Sequence, residues 1–317
     1  MTRPARGRFA PSPTGELHLG NARTALLAWL WTRSAGGKFI MRVEDLDRPR
    51  VKAGLAKKQL EELTWLGLDW DEGPTLPDLP ESGPHGPYFQ SQRSGLYDAA
   101  LDRLRASGHV YDCFCSRAEI ASASAPHGPQ DEGPRYPGTC RDLTASQRSE
   151  RSRTRKPALR LRVPDGAVAF DDQICGRQTF DPQAEVGDFV LRRADGIHSY
   201  QLAVVVDDAA MEVTQVLRGA DLLSSTARQL VLYRLLGAPA PAWAHAPLVL
   251  GPGGQRLSKR DRAVSLSAMK QMGEDPRRIV ASLASISGLS TDGGACRPAE
   301  LITSFALDRV PRGPATL

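Results

Sequence analysis

No run of apolar residues in this 317-residue chain approaches the roughly 18 needed to cross a bilayer, which argues against a membrane-spanning helix. The opening MTRPARGRFAPSP lacks the apolar h-region of a secretory signal, so the protein is expected in the cytoplasm, away from any membrane. Cysteine is scarce. The five residues (Cys113, Cys115, Cys140, Cys175, Cys296) are expected reduced there, which disfavours disulfides and leaves metal binding or inert burial. No internal repeat is found. Hydrophobic residues at 41 % and charged residues at 24 % suit a folded globular chain and suggest no disorder.

What is present begins with charge. Lys and Arg number 41 against 36 Asp and Glu, a net +5 that suits a polyanionic partner without requiring one. Residues 145–157 concentrate it, with five basic residues and one acidic; a solvated surface loop and an RNA-contacting strap both fit.

Residues 8–10 read as a short strand entering the turn-rich Pro11-Ser12-Pro13-Thr14-Gly15, and Leu19, Ala22, Leu26, Leu27 and Leu30 recur at helical spacing from close to His18. Residues 38–43 read as the next strand, ending at Glu44-Asp45-Leu46-Asp47. Strand, turn, helix, strand is the start of a doubly wound α/β domain. Residues 69–86 then mark a long connection, and a helix is predicted over about 95–107. The apolar run 202–206 is too short to assign by period; 213–217 reads as a strand, 222–236 as an amphipathic helix, and 246–250 as a strand leading into Gly251-Pro252-Gly253-Gly254. Beyond Ser265 the tail looks helical but thin.

Two segments could handle anions. His18 and Gly20 stand where a helix opens, and helix N-termini attract phosphate; an ordinary strand-to-helix turn reads the same way. Gly253-Gly254-Gln255-Arg256-Leu257-Ser258-Lys259-Arg260 is a glycine hinge followed by cations, able to close over a triphosphate or to be merely a basic loop. In a third place, Cys113, Cys115, Tyr136 and Cys140 could surround a tetrahedral Zn²⁺, and the spacing leaves zinc and unligated cysteines both open.

Taken together, RFAPSPTGELHLGN and RLSKR resemble the HIGH and KMSKS signatures of class I aminoacyl-tRNA synthetases in their glutamyl form. Val43 to Arg50, Val205-Val206-Asp207-Asp208 and Leu217-Arg218-Gly219-Ala220-Asp221-Leu222 resemble further blocks of that catalytic domain. Asn21 replaces the second histidine of HIGH, and Arg256 the first lysine of KMSKS. The resemblance implies a Rossmann-like α/β fold, a doubly wound parallel sheet with a zinc-bearing insertion and a short helical C-terminal region. The layout expected is 1–76 as the first catalytic half, 77–185 as the insertion, 186–240 as the second half, and 241–317 as the KMSKS-like loop with a helical stem-contact region.

The same resemblance implies that Arg8, Phe9, Ala10, Pro11, Ser12, Glu44, Tyr200 and Arg218 line a pocket for L-glutamate. It implies that His18, Gly20, Asn21, Arg256, Leu257, Ser258, Lys259 and Arg260 handle ATP, with Mg²⁺ on the phosphates, and that His18, Gly20, Ser258 and Lys259 are the catalytic set. Two guanidiniums for two carboxylates and Glu44 for the ammonium suit glutamate chemically. The reaction implied is ATP-dependent formation of glutamyl-adenylate, then transfer to RNA, by a chain expected to be monomeric. The sequence stops about sixty residues after the cationic loop, as do the shortened glutamyl-queuosine tRNA(Asp) synthetases, which place glutamate on the queuosine base of tRNA(Asp) and hold structural zinc through Cys-x-Cys and Tyr-x-x-x-Cys. Their pattern falls on Cys113, Cys115, Tyr136 and Cys140; Cys175 and Cys296 are expected simply packed. The alternatives are a tRNA(Glu)-charging ligase lacking its anticodon domain, a catalytically silent tRNA-binding module, and a small-molecule adenylyltransferase sharing the HIGH fold.

Overall fold

The computed structural model describes residues 3–76, 78–123, 135–250, 265–291 and 294–316. Its first elements are β1 (Arg6–Phe9), α1 (Leu19–Ser34), β2 (Lys38–Met41), α2 (Leu55–Trp65), the short hairpin β3 (Gly73–Pro74) and β4 (Glu81–Ser82), and α3 (Ser94–Ala106). There follow β5 (Val110–Cys113), α4 (Arg117–Ala123), α5 (Ala145–Ser152), β6 (Ala158–Leu161), β7 (Val168–Asp172), β8 (Gly176–Phe180) and β9 (Val190–Arg192). The chain closes with α6 (Tyr200–Ala210), β10 (Gln215–Gly219), α7 (Leu223–Leu235), β11 (Ala242–Ala246), β12 (Val249–Leu250), α8 (Leu266–Gln271), α9 (Pro276–Ser285) and β13 (Ala315–Thr316).

The main sheet runs β2-β1-β10-β11-β7-β8, parallel except for the antiparallel edge strand β8. The four leucines and the alanine that set the helical period of α1 are buried, and the helix packs on one face with α9. It ends where Gly36 takes φ +65°, a conformation that costs glycine nothing, and Gly37 N–H caps Thr32. On the opposite face α3, α6 and α7 close a second core around Leu202, Val205 and Trp243. The apolar run 202–206 is therefore helical, the interior of α6.

The strand expected at 246–250 lies earlier, at β11, with β12 set apart. Pro247 has no N–H to give a ladder, so pairing breaks there. Strands β7 and β8, inside 77–185, continue the main sheet, while β9, beyond 185, completes a three-stranded antiparallel sheet with β5 and β6. Chain order reverses between β1 and β10, and in open α/β sheets such a switch point opens a crevice at the C-terminal ends of the strands.

Candidate active site

A cavity of about 650 Å³ opens at that switch point, within the size range of small-molecule sites. Arg8, Phe9, Ala10, Pro11 and Ser12 line it from the end of β1, His18, Gly20 and Asn21 from the start of α1, Glu44 from beyond β2, Tyr200 from α6 and Arg218 from β10. Every proposed glutamate-pocket residue and three of the proposed nucleotide residues thus share one cavity. Arg256, Leu257, Ser258, Lys259 and Arg260 lie outside the described residues. The flanks of that segment border the site: Val249 lines the cavity, and Ser265 bridges His18 backbone to backbone.

The N-terminus of α1 is closed by reciprocal bonds. Asn21 N–H donates to His18 Nδ1 at 3.3 Å and His18 N–H donates to the Asn21 Oδ1 at 3.1 Å. Asn21, in the place of a second histidine, is therefore a capping residue that orients the first. A Cβ on Gly20 would lie 3.0 Å from the His18 ring, so glycine there keeps the ring in place.

Beneath the cavity is a network of buried charge whose pairing sequence reasoning did not foresee, although Arg8, Glu44, Asp207 and Asp208 stand in the blocks it quoted. Asp208 accepts both arms of Arg8 at 3.4 Å and accepts from Arg42 Nη1 at 2.7 Å. Arg42, fully buried, also donates to Glu44 at 3.2 Å and pairs with Asp207 at 3.7 Å. Asp207 in turn accepts from Arg93, Gln90 and Tyr97. Burial opposes ionisation of Asp208, but Arg8 and Arg42 outweigh it and hold its carboxyl below the usual range.

Two cavity groups are left electrostatically short. Burial pushes the Glu44 carboxyl up, and the pull of Arg42 and Arg8 does not cancel it. Burial pulls the Arg218 guanidinium down; its side chain is 4 % exposed, and among the described residues no carboxylate forms an ion pair with it. Its Nε donates to His245 at 3.0 Å and its Nη2 to Thr226 at 2.7 Å and to the Leu222 carbonyl at 3.2 Å. Among the described residues, only a 3.5 Å contact with the Tyr200 hydroxyl engages Nη1. The Trp243 ring lies 4.7 Å from the guanidinium carbon.

A model of the class I tRNA synthetase catalytic domain of the E and Q type matches residues 4–316. This chain belongs to the class I tRNA synthetases. Among its relatives, a glutamyl-Q tRNA(Asp) synthetase of Symbiobacterium thermophilum is 56 % identical across 98 % of this chain and 95 % of its own length. Another from Nitratidesulfovibrio vulgaris is 49 % identical across 98 % of this chain and 94 % of its own. Among solved structures, a glutamate–tRNA synthetase from Elizabethkingia anophelis superposes with a TM-score of 0.85 at 30 % identity, covering 99 % of this chain and 68 % of that one. Membership makes the chain a ligase that uses ATP, an amino acid and tRNA, built on the family's Rossmann-like fold. No described helix is long and apolar enough to cross a membrane.

Away from the cavity, Cys113, Cys115 and Cys140 bring their sulfurs within 4.8 Å of one another, and Tyr136 joins them. The Cys115 and Cys140 sulfurs are 3.6 Å apart; the Tyr136 oxygen lies 3.4 Å from Cys113 Sγ and 3.6 Å from Cys115 Sγ. Tetrahedral zinc with Zn–S of about 2.3 Å and Zn–O of about 2.0 Å needs S···S near about 3.8 Å and S···O near about 3.5 Å, so the four donors fit. Outer partners suit anionic donors: Arg151 donates to Cys140 Sγ at 3.4 Å, and Arg160 stacks 3.9 Å over the Tyr136 ring. Cys296 is buried and Cys175 half-buried, both as free thiols.

Proposed function

We propose that this synthetase activates L-glutamate with ATP and transfers it to the queuosine base in the anticodon loop of tRNA(Asp). The observation that carries the glutamate reading is two opposite charges facing one cavity: Glu44, whose carboxyl burial pushes up despite its 3.2 Å bond from Arg42, and Arg218, which forms no ion pair with a carboxylate among the described residues. An amino acid with its ammonium at Glu44 and a carboxylate at Arg218 pairs with both, and Arg8 with the Tyr200 hydroxyl serves the second carboxylate. A side-chain amide would leave the buried guanidinium without its counter-ion at a cost of several kcal/mol. The glutamate readings of the relatives point the same way.

In this scheme His18, with Gly20 and Asn21 shaping its turn, meets the triphosphate, and Arg256, Leu257, Ser258, Lys259 and Arg260, outside the described residues, are assigned to it by their sequence motif alone. Mg²⁺ supplies charge neutralisation on the phosphate oxygens. A glutamate carboxylate oxygen attacks the α-phosphorus, pyrophosphate leaves, and an RNA hydroxyl then takes the acyl group as AMP departs. No protein nucleophile is required; positioning and charge stabilisation suffice. Zn²⁺ on Cys113, Cys115, Tyr136 and Cys140 has a structural role, pinning the end of β5 to the loop that carries Cys140. Metal analysis of protein purified without added metal is expected to find about one zinc per chain, lost in Cys140→Ser; a metal-free wild type removes the site.

The acceptor is tested by charging with labelled glutamate, comparing tRNA(Asp) carrying queuosine, tRNA(Asp) lacking it, and tRNA(Glu). Label on the first alone supports the reading. Label on tRNA(Glu) favours a tRNA(Glu)-charging ligase instead, which the 30 % identity to a glutamate–tRNA synthetase structure makes the second reading. No glutamate-dependent pyrophosphate exchange at all would leave a silent tRNA-binding module.

A further inference from the structure

We infer that His245, locked by Asp172 in its Nδ1–H tautomer, is a positioning residue that sets Arg218 for the substrate carboxylate. The inference rests on the glutamate pocket proposed above and extends it to residues that do not touch the ligand. Strand register builds the row: Arg218 on β10 stands opposite His245 on β11, and Asp172 ends the neighbouring strand β7. His245 is fully buried and Asp172 is 3 % exposed. Asp172 Oδ1 accepts the backbone N–H groups of Ile174, Cys175 and His245 at 3.0, 2.8 and 3.1 Å, and Oδ2 faces His245 Nδ1 at 2.6 Å. Burial pushes the Asp172 carboxyl up, yet its bonds from His245 and Cys175 prevail and hold it low, so it is an acceptor only. The Nδ1 position therefore carries the proton. On the other side Arg218 Nε, which can only donate, points at His245 Nε2 from 3.0 Å. Both bonds coexist in one state of the ring: neutral, with Nε2 as acceptor. Burial lowers the His245 pKa, Arg218 adds to that, and both outweigh the opposing pull of Asp172. The Thr226 hydroxyl sits 3.2 Å from Nε2 and accepts from Arg218 Nη2 at 2.7 Å, closing the ring of contacts. With Nε and Nη2 fixed in this way, Nη1 remains directed at the Tyr200 side of the cavity.

Three variants separate positioning from mere packing. In Asp172→Asn the amide oxygen must take the Oδ1 site, which receives three N–H groups, so the amide nitrogen faces Nδ1 and drives the ring proton to Nε2, against Arg218 Nε. Asp172→Asn and His245→Phe are expected to raise the glutamate KM about tenfold or more, with the ATP KM within about twofold of wild type. His245→Gln, whose amide oxygen can accept from Arg218 Nε, is expected to recover most of the affinity lost in His245→Phe. Side-chain ¹⁵N spectra of histidine-labelled protein are expected to show the His245 proton on Nδ1 in wild type. An unchanged glutamate KM in His245→Phe, a fall in kcat alone, or a wild-type ring protonated at Nε2 overturns the inference. Wild-type protein that activates no glutamate would fail the functional reading instead, and the ¹⁵N spectrum would still decide the tautomer.

Discussion

Arg218→Ala is expected to lower kcat/KM for glutamate about a hundredfold or more, chiefly through KM, while the urea unfolding midpoint hardly moves. The first effect follows from what a buried, charge-assisted bond to a ligand carboxylate is worth: about 3 kcal/mol or more when one partner is truncated. The second follows from the protein's own contacts. Arg218 is 4 % exposed and meets no carboxylate among the described residues, so removing it relieves a desolvation penalty even as His245 and Thr226 lose a partner. The two effects oppose one another, which is the usual signature of a binding group held at some cost to the fold. Arg218→Lys should rescue little, because an ammonium cannot occupy the Nε, Nη1 and Nη2 positions of the fork at once. Glutamate-dependent pyrophosphate exchange at varied glutamate, with urea melts on the same preparations, checks both halves. An unaltered glutamate KM would take Arg218 out of the pocket.

Much of this cavity was legible because its residues lie in short blocks. The strand, turn and helix from Arg6 to Ser34 could be read from the apolar period of α1 and the proline-rich turn before it, and that unit carries eight of the cavity residues named from sequence. The resemblance to glutamyl synthetases is what made those residues a pocket, and it added Glu44, Tyr200 and Arg218, which no spacing rule would join. What escaped was the support beneath them. Asp207 and Asp208 sit near the end of an apolar helix, and nothing in their neighbours says that both are fully buried among arginines arriving from β1, from just past β2 and from just before α3. Arg42 follows the strand-like Phe39-Ile40-Met41, where a charge reads as a solvated strand end. His245 finds its partners 27 and 73 residues away, and the Ala-Trp-Ala-His-Ala of β11 lacks the β-branched pattern that announces a strand. Apart from the Val205-Val206-Asp207-Asp208 block quoted for its resemblance, the signal in the sequence was negative, a run of charges placed where the hydrophobic pattern calls for core. The cationic loop is the reverse case, since its motif is plain in the sequence while its residues lie outside those described.

Arg42→Met is expected to act on the fold where Arg218→Ala acts on binding, costing about 3–5 kcal/mol of folding stability whatever its effect on binding. Arg42 is fully buried and serves three carboxylates, donating to Asp208 at 2.7 Å and Glu44 at 3.2 Å and pairing with Asp207 at 3.7 Å. Burial alone would lower its pKa, but Asp208 and Asp207 raise it well above the ordinary arginine value, so it is charged at any pH of interest. Methionine fills comparable space and leaves those carboxylates under-compensated in the interior. The penalty should also depend on pH with a definite sign. Asp208 has its folded pKa depressed by Arg8 and Arg42 against the cost of burial, so its stabilising contribution is present at neutral pH and is lost as pH falls through that lowered value. In the variant the stranded carboxyls take up protons more readily, so the stability gap from wild type should be widest near neutrality and narrow towards about pH 4. Urea melts of both proteins across that range, with equal slopes, measure the gap directly. A gap under about 1 kcal/mol, or one that widens on acidification, would mean that the arginine is not what holds these acids in the interior, and that Arg8 and Arg93 suffice.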